Sequence, residues 1–392
     1  MIKKQLLFIL LPFLLFGAPE GETKAKADTK PNIVIKRVGN ISQQKKLPET
    51  KQETKLTESE QKLNINLLES KSKVCSSLKI AMLLPYKKIG RYASSTTNAS
   101  LAYLVSKNRP FELKVYKIEN ESFEEISKAF KKIKDDDFCY VVATLTQEGA
   151  DVVAKVNPDI TVYFPAINKK DATSNSKYLY YGGIDYRAQS DMLLKYAKSP
   201  LIIFHDESSV GKKLSFYQEK KNGELYKKST TTQYLVPEKT TALDKQLSNN
   251  RSIHNSSVIL NTPIVKSGMI VSQLTLFNTD AVNILSTQTN YNPLLLSMTQ
   301  YQDIKDMIIA NSITQSRDVL IETNALLDND ILYDWINYTT TVGVDFIYNT
   351  VYKEDREYDI DVINNQIVYP IELLQPSFTT FKPFISDIKE IQ

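Results

Sequence analysis

Residues 78–85, Leu-Lys-Ile-Ala-Met-Leu-Leu-Pro, constrain the fold more than any other stretch. A strand presents alternate residues to opposite sides, and here both sides are apolar, which is the pattern of a strand covered on both faces. A polar segment precedes the run, and Pro85 ends it. The run is read as the first strand of a parallel sheet, with Pro85 opening a loop at the sheet's carboxyl edge.

From there the chain alternates short apolar runs with amphipathic ones. Strands are expected at 78–84, 111–118, 138–143 and 161–164. Helices are expected within 94–106, 123–134 and 149–156, the last with Thr146 as its cap. A strand at 178–184 and a helix over 185–197 lead away. A second series follows: strand 201–205, helix 209–220, strand 225–235, helix 238–247, strand 258–261, helix 264–277 and strand 281–286. Then come 307–313, a helix within 330–342, and a β-rich end at 362–363 and 367–373. This alternation is the signature of α/β architecture, each lobe a doubly wound parallel sheet. The chain has 392 residues, 42% of them hydrophobic, enough for two medium cores. The expected division is a first lobe over 74–185, a second over 186–306, and a return segment with a terminal β-rich piece over 307–392, packing on the lobes.

Ahead of the lobes, Lys3 and Lys4 precede an apolar run over 6–16 that is too short to span a bilayer and has the shape of a secretory leader. Ala25-Lys26-Ala27 is a small-x-small cleavage candidate, giving a signal peptide over 1–27. No cysteine lies near that junction, so lipid anchoring is not supported. The expectation is a periplasmic protein with no transmembrane segment after signal removal. Residues 28–73 are rich in Lys, Glu, Gln, Thr and Ser and have no aromatic residue. They read as a disordered linker, with weak apolar patches at 33–38 and 63–68 as candidate docking segments. Residues 74–392 carry 35 Lys and Arg against 37 Asp and Glu. A body this close to neutral gives no basic field for nucleic acid.

Lys79-Ile80-Ala81-Met82-Leu83-Leu84-Pro85 resembles the opening strand of the type I periplasmic-binding-protein superfamily. Phe204-His205-Asp206-Glu207-Ser208-Ser209-Val210-Gly211-Lys212 resembles the strand, turn and helix that open its second lobe. The resemblance spans about residues 78–350, and the first lobe is most similar to the carboxyl-terminal domain of the lipoprotein activators of penicillin-binding proteins. It implies a two-lobed type I periplasmic-binding-protein-like fold. It also directs attention to two loops. Amino-acid-binding members usually have a Gly-rich turn after the first strand, and here the turn is Tyr86-Lys87-Lys88-Ile89-Gly90. After the third strand they present small residues and hydroxyls to the ligand, and Ala143-Thr144-Leu145-Thr146 keeps that character. The chain has only 11 Gly, so few turns bring backbone close to a ligand.

Motifs for catalysis are missing from the sequence. The two histidines, His205 and His254, have no Gly-x-Ser-x-Gly elbow or His-x-x-x-His spacing to work with. No phosphate-binding glycine motif occurs, and no cofactor is expected. Asp135-Asp136-Asp137 follows Lys131, Lys132 and Lys134 and reads as a solvated turn rather than a metal cluster. Trp335, Tyr333 and Tyr338 fall on a helical pattern and read as packing.

A cleft ligand in such a fold sits between the lobes at the carboxyl ends of the strands. Candidate residues are Ser94, Thr96, Thr144, Thr146 and Asp185, with Glu207, Asn261 and Thr287 from the second lobe. The expected function is a non-enzymatic interaction or scaffold module for envelope protein partners. The alternative is a receptor for an amino-acid-like small molecule. A polar, charged, sealed cleft favours the receptor, and one plugged by side chains such as Tyr86 favours the scaffold. The two cysteines, Cys75 and Cys139, read either as buried thiols or as a disulfide. In a doubly wound sheet the first and third strands are parallel neighbours, which puts both at one edge and favours the pair.

Overall fold

A computed structural model describes residues 34–37, 77–248, 250–279 and 281–385. The strands are β1 (Val34–Arg37), β2 (Leu78–Leu84), β3 (Phe111–Lys117), β4 (Tyr140–Ala143), β5 (Thr161–Phe164), β6 (Leu179–Tyr181), β7 (Leu201–His205), β8 (Thr231–Leu235), β9 (Ser257–Asn261), β10 (Asn283–Ser286), β11 (Met307–Asn311), β12 (Val362–Ile363), β13 (Gln366–Ile367), β14 (Glu372–Pro376) and β15 (Phe381–Pro383). The longer helices are α1 (Tyr92–Ser106), α2 (Phe123–Asp135), α3 (Gln147–Val156), α4 (Tyr186–Leu194), α5 (Ser209–Leu225), α6 (Ile264–Leu276), α7 (Asp318–Ala325) and α8 (Trp335–Tyr352). Among the described residues no helix is long and apolar enough to cross a membrane.

Two mostly parallel sheets result, and the same strand order is built twice. The first sheet runs β1-β3-β2-β4-β5-β6-β13-β12, and the second runs β15-β14-β11-β10-β9-β7-β8. In each, the opening strand lies between its two successors, which is the order of a doubly wound sheet. The continuous apolar run of β2 now has its reason. Leu78, Ile80, Met82 and Leu84 pack on one side with Tyr103 of α1 and Tyr338 and Val342 of α8. Ala81 and Leu83 pack on the other with Ile126 and Phe130 of α2 and Val153 of α3. In the second lobe Ile202 and Phe204 meet Ile270 and Leu274 of α6, while Leu201 and Ile203 meet Leu193 and Leu194 of α4.

The chain passes between the lobes three times: through α4, between β11 and α7, and between β13 and β14. Residues 307–392 are therefore shared. β11 continues the second sheet in parallel with β10, α7 and α8 cover the first lobe, β13 joins β6, and β14 closes on β11 antiparallel.

Several expected elements shift. The strand expected over 225–235 is only β8, because α5 runs on to Leu225. Buried Asn222 then ties the turn by donating to Ser229 Oγ at 2.9 Å and Thr231 Oγ1 at 3.0 Å. Of the helix expected over 238–247 only Asp244–Leu247 forms; Thr240 and Thr241 disfavour its first half. In the linker, Val34–Arg37 pairs antiparallel with β3, Val34 opposite Lys114 and Arg37 opposite Phe111. The expectation of a segment without regular structure thus differs for these four residues, which fall in the first apolar patch and cover an otherwise unpaired sheet edge. The rest of 28–73, the expected leader over 1–27 and Cys75 lie outside the described residues.

Helix α8 sits close on β5. Tyr163 OH donates to the Thr339 carbonyl at 2.6 Å, and a Cβ on Gly343 would stand 1.9 Å from the Tyr163 ring. Gly343→Ala would raise helix propensity by about 1 kcal/mol, yet overpacking costs about 1–3 kcal/mol and the ring is held from both ends. The expected result is a net loss of stability in a denaturant titration. A gain would mean that Tyr163 has room to move.

Candidate functional site

The carboxyl ends of the strands in both lobes face a cleft of about 430 Å³. The second lobe supplies the turn after β7 with Asp206 and Ser208, Gly211 in the first turn of α5, the end of β9 with Asn261 and Thr262, and Gln288 and Thr289 after β10. The first lobe supplies Arg91 and Tyr92. Tyr186 and the segment Tyr333, Asp334 and Trp335 line the cleft from helix starts.

Local sequence explains each placement. Asp206 Oδ1 accepts from Ser208 N at 3.2 Å and Ser208 Oγ at 2.6 Å, and Ser208 Oγ caps α5 by accepting from Gly211 N at 2.9 Å. Glycine is required there, since a Cβ on Gly211 would lie 2.2 Å from Asp206 Oδ1 and 3.0 Å from the Asn261 carbonyl. Asp334 caps α8, accepting from Ile336 N at 3.0 Å and Asn337 N at 3.3 Å, which sets Trp335 in the first turn. Tyr186 meets Trp335 edge to face, with ring centroids 6.1 Å apart. Tyr291 tilts against Tyr333 at 5.2 Å.

The cleft is mixed in charge. Arg91 is exposed, with its guanidinium over the Tyr92 ring at 5.2 Å. Burial pushes the Asp334 carboxyl up, against the two backbone donors and Arg91, which pull it down. Burial also raises the Tyr186 phenol and pushes Tyr291 up to about 12, so both rings are neutral hydrogen-bonding walls at physiological pH. Gln288 is 3% exposed and its Nε2 has no partner.

Of the eight residues expected in the cleft, Asn261 alone lines it. Its amide is held by α5, donating to Ser215 Oγ at 2.9 Å and Gln218 Oε1 at 2.7 Å. Ser94 Oγ donates to the Arg91 carbonyl at 2.9 Å. Thr96 is buried in α1 and donates to the Tyr92 carbonyl at 2.7 Å, and Thr144 Oγ1 donates to Thr96 Oγ1 at 3.1 Å. Thr146 caps α3, accepting from Gly149 N at 3.4 Å, and its hydroxyl donates to Glu121. Asp185 caps α4 and pairs with Lys170 at 2.5 Å. Glu207 is exposed in the turn after β7, and Thr287 is fully buried beside Thr289. The hydroxyl cluster at 94–97 lies inside α1, whose first residue is Tyr92, so the cleft receives Arg91 and Tyr92, at the very start of that helix, instead.

Other expectations resolve similarly. Tyr86 does not line the cleft; Lys117 Nζ stands over its ring at 4.6 Å. Trp335 and Tyr333 face the cleft, whereas Tyr338 is core. His205 Nδ1 lies 2.9 Å from the Asp206 carbonyl. Asp136 binds Lys114 at 2.6 Å and Tyr116 at 2.7 Å, and no acidic or histidine cluster fit for a metal occurs among the described residues.

No family model and no curated protein matches this chain. Solved structures do. LivK, a leucine-binding protein of Thermotoga maritima, is 14% identical, with 79% of this chain and 98% of its own covered at a TM-score of 0.53. A putative branched-chain amino acid ABC transporter protein of Rhodospirillum rubrum is 10% identical, with 79% and 100% covered at 0.56. LpoA of Haemophilus influenzae is 12% identical, with 81% of this chain and 60% of its own covered at 0.55. The fold is the two-lobed type I periplasmic-binding-protein-like one, found among amino-acid-binding proteins and in LpoA alike.

Proposed function

We propose that this is a non-enzymatic periplasmic protein that acts as an interaction or scaffold module for other envelope proteins, tethered through residues 28–73. One observation carries the reading. The hydroxyls after the third strand of lobe 1, which amino-acid-binding members of the superfamily turn toward their ligand, are engaged within the lobe: Thr144 on Thr96, and Thr146 on Glu121 and the start of α3. In their place the first lobe offers Arg91 and Tyr92, with Trp335 and Tyr333 nearby. Arg, Tyr and Trp are the residue types that anchor protein partners.

A second reading, a receptor for an amino-acid-like molecule, is favoured by the same cleft's volume and by its opposed charges. Arg91 can meet a carboxylate and Asp334 an ammonium, and Tyr86 does not plug the space.

A thermal-shift screen separates the two. A ligand at 100 times its dissociation constant adds about 2.7 kcal/mol, so millimolar amino acids reveal micromolar binding as a rise of several degrees. The scaffold reading predicts no rise. It also predicts that a photo-cross-linker at Tyr92 captures a defined envelope protein in cells, and that deleting residues 28–73 abolishes the capture. A reproducible amino-acid hit removed by Arg91→Ala, with the fold intact, would replace the scaffold with the receptor.

A further inference from the structure

Helix α5 buries Leu214, Ser215, Gln218 and Asn222 against the second lobe. Its opposite side carries Lys212, Lys213, Phe216 and Lys220, neighbours at helical spacing, and the Phe216 side chain is 69% exposed. Beyond the helix end, Lys227 and Lys228 line a hollow of about 370 Å³ with Ser199, Ser229 and Tyr226. The span 209–228 holds six lysines against Glu219 and Glu224. Both acids are engaged, Glu219 by Gln233 at 2.7 Å and Glu224 by Lys221 at 3.4 Å. Lys213 also feels Glu148 of the first lobe. Lys212, Lys220, Lys227 and Lys228 have no ion-pair partner among the described residues. The surface is therefore a positive stripe around the exposed Phe216 ring.

The residue types indicate what would cover it. The span 209–228 holds no arginine, and Arg187, whose guanidinium stands over the Tyr217 ring of α5, is paired with Asp171 at 2.6 Å, whereas protein interfaces enrich Arg and deplete Lys, and rigid phosphate recognition in nucleic acids favours the Arg fork. Flexible lysines around an exposed aromatic suit a fluid anionic surface instead. Their stems lie along the apolar boundary, their ammonium groups reach headgroup phosphates, and the ring enters the interface. We infer that this face of α5 docks on an anionic phospholipid bilayer, with Phe216 inserted and Lys212, Lys213 and Lys220, extended by Lys227 and Lys228, on the headgroups.

Sedimentation of the protein without its expected leader, residues 28–392, with vesicles of phosphatidylglycerol and phosphatidylcholine, against pure phosphatidylcholine, tests this. Binding is expected only to the anionic vesicles and should vanish at high salt, where screening shortens to a few ångströms. Each lysine near such a surface contributes about fivefold in affinity, so Lys212→Glu, Lys213→Glu and Lys220→Glu together should weaken binding by at least about a hundredfold. Phe216→Ser should lower affinity about tenfold and leave the salt dependence unchanged. All four positions are exposed, and unchanged melting curves would show that the variants are folded. Anionic-vesicle binding that survives the triple change would locate the contact elsewhere, in the basic linker first, and overturn the inference. So would binding to polyglutamate without binding to vesicles, which would make the partner an acidic protein.

Discussion

Asp345→Ala is expected to destabilise the protein by about 3–5 kcal/mol, the range for removing one partner of a buried ion pair. Asp345 lies in α8 with no exposed surface. Its Oδ1 accepts from Tyr103 OH at 2.7 Å and Glu357 N at 2.8 Å, and its Oδ2 lies 3.4 Å from both Tyr358 N and Arg356 Nε. Arg356 otherwise has the Ile360 carbonyl at 2.5 Å, and its second terminal nitrogen is already unpartnered. Losing the carboxylate would leave a cation, a phenol and two amides without their acceptor inside the lobe. Asp345→Asn keeps the shape and one acceptor oxygen and should cost less. Denaturant titration measures the loss. Trp335, the only tryptophan in the chain, begins the same helix at the cleft wall, so its emission reports whether the damage reaches the site. A cost below about 1 kcal/mol for the alanine variant would mean that water replaces the carboxylate and that the network is not structural.

The same network gives a pH dependence. Burial pushes the Glu357 carboxyl up, but hydrogen bonds from Arg317 and Lys107 overrule it, and the net effect is a lowered pKa. A carboxylate whose folded pKa is depressed contributes stability that is present above its unfolded pKa and is lost as pH falls through the folded one. Unfolding free energy should therefore decline below about pH 4.5, the ordinary Glu range. Glu357→Gln should flatten that decline.

How far the sequence could be read depended on how each element is buried. β2 was legible because a strand covered on both faces must be apolar throughout, and the alternation that followed gave both sheets. Helix α8 was legible only as an amphipathic piece within 330–342. It is buried on every side from Ile336 to Asp345, so no polar stripe marks its period, and its threonines satisfy themselves on the preceding turn, Thr340 on Ile336 and Thr341 on Asn337. The cleft's position followed from the fold, but its lining did not. Hydroxyls at 94–97, 144 and 146 looked like ligand groups, and nothing local distinguishes a hydroxyl aimed at a ligand from one that caps a helix. Arg91, Tyr92, Tyr186 and Trp335, which do line the cleft, stand at helix starts. A one- or two-residue error in a helix boundary redirects every side chain of the first turn.

Reducing a Cys75–Cys139 bridge is expected to cost about 4 kcal/mol, because the link closes a loop of more than sixty residues and removes that much entropy from the unfolded chain. Cys75 lies outside the described residues, but Cys139 and the register of β4 are fixed. β2 and β4 are parallel neighbours, with Ile80 opposite Tyr140. Cys139 therefore stands level with Lys79, at the amino-terminal edge of the sheet, four residues along from Cys75. Cys139 is 8% exposed, and there is no free cysteine among the described residues. A bridge requires Cα atoms within roughly 7 Å, and the register puts Cys139 at the sheet edge where β2 begins. The bridge would also pin the end of the linker to the first lobe, so that any pull through residues 28–73 bears on the sheet rather than on β2 alone. Thiol counting on protein recovered from cells without reductant should find none under denaturing conditions and two after reduction, with a matching fall in melting temperature. Two free thiols before reduction, or an unchanged melting curve after it, would leave the edge of β2 held by packing alone.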